Sequence, residues 1–592
     1  MIKNDKIRNM KKNVFLLLIL SSLIIASCFK RQEMNYSGAY PPAYVNTIGL
    51  PLEQPVPFQG QAGDTVRFKV SGIDTLLTMP PSTIEFYLNG LRATVKSVNA
   101  NDSTVTVVVP AFASSGASSM VIGNKQFYGP DFDIIGWTWI DSTFNITTQK
   151  DEKGNLLLGT AANGAVWDLY DDDPEQRVNL FVSGDFTTWN GLSFLGTTPD
   201  SYHNNHTAGL IQLNPLTGAL RDNFYVGEGP NTSSAIYGII KLTNFPGYLV
   251  YGSGFSTFGI YRGVNNMTRL YQNGQIDSIT TNVNNPNPED PTANIGIFVN
   301  FRGGFDGAVK KVFMDARGRL ICIGSFTRYA YNDYTLSTAY SVVKNYTYQS
   351  QVAAISQDGI LDTSFNFDPN RTKGLGTNGT IADAVQLTDG ATTGKVVMVG
   401  NFTTYNGENV GRIVMLNDNG SRDPSFNVGS GADGAISKIT YNPVTQKILV
   451  VGDFKAFNGT ACPAGLVMLN KDGSIHTGFQ LGDFERSTAN SGRLVNYAGQ
   501  LSDGTVIVSG SFERYRDKNS SQFITRQGFM ILNADGTLAP NLNNTGAFNG
   551  TIYDILEANT LSGRKGVIIA GSFSLFDNSP VKNIIRIGLQ RK

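Results

Sequence analysis

The chain has 592 residues, 41% hydrophobic and 16% charged, which is ample for a large core and too long for one ordinary domain. Basic and acidic side chains balance at 47 each, and without residues 1–27 the count is 42 against 46, a net of −4, which leaves no electrostatic footprint for nucleic acid. Cys28, Cys322 and Cys462 are too few and too scattered for a disulfide framework or a zinc site.

Residues 11–28 read KKNVFLLLILSSLIIASC. Lys11 and Lys12 are followed by an apolar run over 14–26, too short to span a bilayer comfortably. The run ends in Ile25-Ala26-Ser27-Cys28, which resembles a bacterial lipobox. The resemblance implies that residues 1–27 are a lipoprotein signal peptide and that Cys28 is diacylated on sulfur at the mature N-terminus. Several acyl chains on one residue hold a protein stably on a membrane. Met10 is a natural alternative start. Residues 28–60, rich in Pro, Gly, Tyr and Gln, read as a tether.

Residues 61–133 alternate with period two. Val66, Phe68 and Val70 point one way, as do Ile84, Phe86 and Leu88, and then Val105, Val107 and Val109 before Pro110. Such alternation over short runs predicts a half-buried antiparallel sandwich. GDTVRFKVSG, IEFYLNGLRATVKSV and DSTVTVVVP in this order resemble the IPT/TIG immunoglobulin-like domains.

From about residue 135 a repeat sets in. Its most constant piece is an apolar strand ending in Gly-x-Phe or a close variant, with a second aromatic three residues on. The phenylalanines are Phe186, Phe255, Phe326, Phe402, Phe454, Phe512 and Phe573. The second aromatics are Trp189, Phe258, Tyr329, Tyr405, Phe457, Tyr515 and Phe576. Copy two, GSGF at 252–255, carries a one-residue shift. Each copy has a strand before this one, expected to begin near Ala165, Ala235, Ala308, Ile381, Ala435, Arg493 and Thr551, and a third strand after it. A short fourth follows, clearest as LDTSFN at 361–366 and RDPSFN at 422–427. Recurrence on this scale points to stacked four-stranded blades, whose two faces are covered by radial packing. The Gly is expected to allow close backbone approach, the Phe to fill the gap between blades, and Asn-Gly at 190–191, 406–407 and 458–459 to make tight turns.

Seven copies carry strands one to three, and the last ends at NIIRIGLQRK without a fourth. An unattached fourth-strand segment, WIDSTFN at 139–145, precedes the first copy and is expected to complete the last blade beside 584–587. VVMVGNFTTYNGENVGRIVMLNDNGSRDPSFN resembles the delta-60 repeat family of β-propellers, across about 135–592. The expected fold is therefore all-β: an immunoglobulin-like sandwich, then a seven-bladed propeller closed by an N-terminal strand. The whole layout resembles Bacteroidota outer-membrane lipoproteins of uncharacterised function. That resemblance implies an outer-membrane location, at the cell surface or facing the periplasm, near glycan import systems, and it brings no catalytic residues.

Long loops after strand two in copies one and three, and the connection over 280–307, are expected on one face, where propellers usually bind. The copy-three insertion, YAYNDYTLSTAYSVVKNYTY, supplies Tyr331, Tyr334, Tyr340, Tyr346 and Tyr348 as candidate ligand contacts, each pairing a flat apolar face with a hydroxyl. The bland alternative is that these rings pack the loop onto the propeller. Tyr329 and Trp189 belong to the repeat and are expected to be structural. His203 and His206 lack a third ligand, Asp171 to Asp173 read as a hairpin tip, and no metal or cofactor is expected. No nucleophile triad, phosphate loop or reactive thiol stands out. The expected function is non-enzymatic: a lipid-anchored envelope module binding a glycan or an outer-membrane partner protein. Two alternatives stay open, a glycan hydrolase or lyase with carboxylates at the propeller axis, and a purely structural subunit of an outer-membrane complex.

Overall fold

The computed structural model describes residues 48–150, 156–159, 161–173, 175–190, 192–193, 209–221, 223–227, 229–231, 234–287, 289–370, 375–487 and 492–591. Cys28, the leader before it, His203 and His206 lie outside the described residues.

The first domain is one rolled sheet of seven strands. In spatial order they are Gln59–Gly60, Lys125–Ile134, Gly116–Ile122, Glu85–Leu88, Leu91–Asn99, Thr104–Val108 and Thr65–Lys69. The first two run parallel and the other neighbours antiparallel. Val56, just before one edge strand, bridges Arg67 on the other edge, so the sheet nearly closes on itself. Leu91–Asn99 pairs with Glu85–Leu88 at its start and with Thr104–Val108 further on, with a register shift between Val95 and Ser97. The nine alternating apolar residues expected to face inward, from Val66 to Val109, are all buried. Phe68 and Phe86 meet at 4.7 Å at the centre.

Seven antiparallel meanders follow among the described residues. Their first strands are Val166–Asp171, Ala235–Lys241, Val309–Met314, Thr380–Gln386, Ile436–Asn442, Tyr497–Gln500 and Asn549–Glu557. Blade six thus starts its strand at Tyr497 rather than near Arg493. The second strands are Leu180–Gly184, Gly247–Ser253, Leu320–Gly324, Val396–Asn401, Lys447–Gly452, Val506–Ser509 and Gly566–Phe576. The third are Leu210–Leu213, Met267–Tyr271, Val352–Ile355, Ile413–Leu416, Leu466–Asn470, Phe529–Leu532 and Ile584–Leu589. The fourth strand is reduced to a single bridge in blades one to six, as in Leu416 with Arg422. In blade seven it is Thr138–Ile140, paired antiparallel with Ile587, Gly588 and Leu589.

The repeat residues hold this arrangement in two ways. The repeat glycine in or just after each second strand lies so close to the start of its own blade's first strand that a Cβ there would overlap a carbonyl: Ala165 for Gly184, Thr380 for Gly400, Ala435 for Gly452. The close approach is thus within a blade, not between neighbours. The phenylalanine two residues on is buried against the preceding blade, as Phe454 is among Val397, Ile413 and Met415. The extra residue in copy two is Ser253 or Gly254, after Gly252 has taken the tight position. Asn406-Gly407 and Asn458-Gly459 both hold positive φ, which suits two-residue hairpin turns.

Candidate functional site on the looped face

The loop after each second strand forms a small hairpin, and its aromatic residue bridges the connection entering the first strand. Phe305 pairs with Tyr329, Thr377 with Tyr405, and Ala432 with Phe457. Both kinds of connection therefore share one face, and the insertions are gathered there.

Blades two and three build a platform on this face. The hairpin Thr257–Phe258 and Tyr261–Arg262 is extended by Ile295–Val299 and Ser278–Asn282, so the connection that reads as a loop over 280–307 is partly a sheet. The blade-three hairpin, Arg328–Asp333 with Val343–Tyr348, packs beside it. Tyr334 joins the two. Its ring stacks on Phe298 at 4.3 Å, its hydroxyl donates to the Val299 carbonyl at 2.6 Å, and Arg302 lies over it at 4.9 Å. Burial pushes its phenol up to about 12.

The five candidate tyrosines are thereby divided. Tyr334 is 1% exposed and cannot meet a ligand, because the platform is built around its ring. Tyr331 is half-buried against the core of blades two and three. Tyr340, Tyr346 and Tyr348 are 67%, 46% and 40% exposed. Tyr346 and Tyr348 are two apart and share one hairpin face, where the Arg328 guanidinium lies 4.3 Å from the Tyr346 ring. Trp189 and Tyr329 are buried.

A second constellation, which sequence reading missed, lies at the propeller axis. Every first strand but the sixth shows a register shift at its second residue or close to it, for example between Val166 and Asp168. The residues at this step are Trp167, Tyr237, Lys310, Ala382, Ser437, Asn496 and Tyr553, one per blade. They ring the mouth and lean toward the next blade. Lys310 Nζ donates to the Ile381 carbonyl at 2.6 Å, and Asn496 Nδ2 to that of Gly550 at 3.2 Å. Three are aromatic and adjacent: Tyr553 stacks on Trp167 at 4.5 Å, and Tyr237 meets Trp167 edge-on at 6.1 Å.

One residue deeper come Asp168, Gly238, Lys311, Asp383, Lys438, Tyr497 and Asp554. Gly238 leaves the space its side chain would fill to the phenol of Tyr251. Lys311 Nζ pairs with Asp168 at 2.9 Å, and Lys438 Nζ with Asp383 at 3.0 Å. Burial disfavours the charge of Lys311, but Asp168, Tyr251, Asp383 and Asp554 outweigh it and hold its ammonium well above the usual range. Burial, then repulsion from Asp168, pushes the Asp554 carboxyl up to about 6. Asp554 Oδ2 accepts from the Leu169 amide at 3.0 Å, and Asp383 Oδ2 from the Ile439 amide at 3.3 Å. These aspartates satisfy N–H groups on the inner edge of the next blade, which no further strand can pair. Aligning the seven copies at the first strand would have exposed this ring, since charged residues recur at one position of otherwise apolar strands.

Beside the aromatic arc a cleft of about 710 Å3 opens between blades five, six and seven. Tyr553, Ser437, Lys438 and Asn496 form its axial wall, and Gln527 and Asn549 its outer side. Among the described residues no three His, Cys, Asp or Glu side chains are grouped to hold a metal ion. Cys322 is buried in blade three, where burial raises its thiol, so it offers no reactive centre.

Residues 25–130 are similar to a family described as a domain of unknown function, DUF5008, and residues 392–426 to a β-propeller family of unknown function, DUF5122. No curated protein matches the chain. Among solved structures it is similar to an auxiliary nutrient binding protein from Bacteroides thetaiotaomicron, at 12% identity and TM-score 0.23, over 68% of this chain and 94% of that one. It is similar to the WD40 propeller domain of Doa1, at 12% identity and TM-score 0.33, over 76% and 97%. It is also similar to PorZ, a surface component of the type-IX secretion system of Porphyromonas gingivalis, at 11% identity and TM-score 0.27, over 84% and 53%.

Proposed function

We propose that this protein is a non-enzymatic binding module of the cell envelope, held by lipid on Cys28, whose looped propeller face takes a glycan or a partner protein. In this reading residues 1–27 are a signal peptide, 28–60 a tether, 61–133 an immunoglobulin-like spacer, and 135–592 a seven-bladed propeller closed by its N-terminal strand. The location is the outer membrane, and the role is accessory to glycan import.

The observation that carries the reading is the exposure of Tyr340, Tyr346 and Tyr348 on an insertion that the rest of the blade does not need. Exposed tyrosines on a rigid hairpin offer ring area at little entropic cost. The test is capture of envelope proteins and binding to a glycan array, with the parent and with a variant carrying alanine at 340, 346 and 348. Binding that disappears in the variant supports the reading. Binding to nothing, or binding untouched by the variant, removes the hairpin from it.

The hydrolase alternative draws support from the three axial aspartates, since Asp554 holds its proton to about 6, as a general acid must. Against it, Asp383 and Asp554 are spent on backbone amides and Asp168 on Lys311. Release of reducing ends from polysaccharides by the parent, lost in Asp554→Asn, would reinstate it.

A further inference from the structure

The geometry points to a second, deeper ligand site: we propose that the cleft at the axial mouth, walled by Tyr553 and backed by Trp167, binds a neutral saccharide unit. This rests on the reading of the looped face as a binding face, and assigns it a ligand class and a place distinct from the tyrosine hairpin.

Four observations meet here. First, the ring at the mouth is asymmetric. Blades seven, one and two contribute Tyr553, Trp167 and Tyr237, while blades five and six contribute Ser437 and Asn496. Of these rings Tyr553 lines the cleft together with the hydroxyl and amide groups, a pairing that suits a sugar, whose C–H face stacks while its edge hydrogen-bonds. All three aromatics are only half-buried, so ring surface remains open.

Second, the Trp167 indole N–H is shielded from solvent and has no hydrogen-bond partner. A buried donor left unmade is costly, and indole can only donate. Trp167 does not itself line the cleft; it supports Tyr553, which does, by stacking on it at 4.5 Å.

Third, the cations at the cleft are already neutralised. Lys438 is paired with Asp383 at 3.0 Å, and Arg493 with Asp453 at 2.8 Å. This leaves little to draw in a phosphate or an acidic sugar. The remaining polar lining is Ser437, Asn496, Ser511, Gln527, Asn549 and Thr551, with one acidic side chain, Glu513, which would repel an acidic sugar. Ligand selection thus falls to hydroxyl-rich neutral chemistry.

Fourth, the ring of Asp168, Lys311, Asp383, Lys438 and Asp554 lies one residue below the mouth. Its charges converge on one another, with Lys311 on Asp168 at 2.9 Å and Lys438 on Asp383 at 3.0 Å. The mouth therefore has a charged floor. A volume of about 710 Å3 falls within the usual range of small-molecule sites, roughly 300–1,000 Å3.

The experiment uses the full-length chain without its lipid. Maltohexaose, cellohexaose, xylohexaose and mannohexaose are titrated by calorimetry and by tryptophan emission. At least one is expected to bind and to shift the emission. Trp167→Phe, which keeps a ring behind Tyr553 and removes the fluorophore, should abolish the shift and weaken binding only about twofold. Tyr553→Ala should weaken it more, and Gln527→Ala, on an exposed side chain, several-fold. Thermal melts confirm that each variant is folded. Triple alanine replacement at 340, 346 and 348 should leave this binding intact. Silence of all four probes at ~10 mM overturns the proposal. Binding lost in the hairpin variant but kept in Tyr553→Ala also overturns it, while leaving the broader binding function standing.

Discussion

Asp554 and Asp423 show how one residue type is used in two opposite senses. Asp423, at a blade's rim, is disfavoured as a charge by burial, but Lys395 and Ser425 outweigh this and hold its carboxyl below the usual range. Its contribution to stability is present above the ordinary carboxylate value and is lost as pH falls through the depressed one. Asp554 runs the other way. Its folded value of about 6 lies above the unfolded 3.8, so its contribution is complete below the unfolded value and fades as pH rises through the folded one. Replacing it with Asn keeps an acceptor for the Leu169 amide and removes the titration. The expected outcome is that the melting temperature of Asp554→Asn, relative to the parent, rises from about pH 4 to about pH 7. A pH-independent difference would show that the axial carboxyl does not titrate there. Neither behaviour is legible in sequence, because each depends on partners from distant parts of the chain: Lys395 is 28 residues from Asp423, and Leu169 is 385 from Asp554.

At the scale of the element, the blade was readable and its additions were not. Alternating apolar residues, Gly-x-Phe and Asn-Gly each fix a strand, a close approach or a turn by local sterics, and local signals survive in sequence. The platform over blades two and three is different. Ser278–Asn282 and Ile295–Val299 become strands because they extend a neighbour's hairpin, and Tyr334 is buried because Phe298 and Val299 come to it. The exposed tyrosines on the same hairpin have no sequence mark that separates them from Tyr334. Tyr334→Phe should cost roughly 1–2 kcal/mol by leaving the Val299 carbonyl unpaired, and speed hydrogen exchange in Ile295–Val299 while sparing blade five. If exchange there is unchanged, the ring rather than the hydroxyl joins the two hairpins.

At the scale of the molecule, two junctions carry the design. The first is Asp141 with Arg586, an ion pair 2.7 Å apart with both side chains essentially unexposed. Arg586 also donates to the Pro215 carbonyl at 3.1 Å and lies 4.8 Å from the Phe144 ring. Asp141→Ala would leave this guanidinium buried and unpaired, at a cost of about 3–5 kcal/mol in denaturant unfolding, and replacing both partners with apolar residues should recover part of it. A loss under 1 kcal/mol would mean that water reaches the pair. The second junction ties the rolled sheet to blade six. The Asn544 carbonyl accepts from Ser115 N at 2.8 Å, and its side chain spans Thr138 N, Thr138 O and Ile134 O. Asn544→Ala should loosen that contact, hasten proteolysis around 134–138 and lower the propeller's melting temperature slightly, because Thr138 begins the closing strand. That an N-terminal strand joins blade seven was legible because counting strands leaves one over, but its register was not: Thr138–Ile140 pairs with 587–589, where 139–145 was expected beside 584–587. The Asn544 junction was not, since a lone asparagine between repeats carries no such arithmetic.

The pairing of Thr138–Ile140 with Ile584–Leu589 also sets an order in time. The strand made early must wait for a mate emerging some 445 residues later, as the separation of Asp141 and Arg586 measures. Intermediate blades can assemble as they appear, but every partial wheel exposes two raw flanks until the final strand arrives, which is the period when the nascent chain most needs a chaperone.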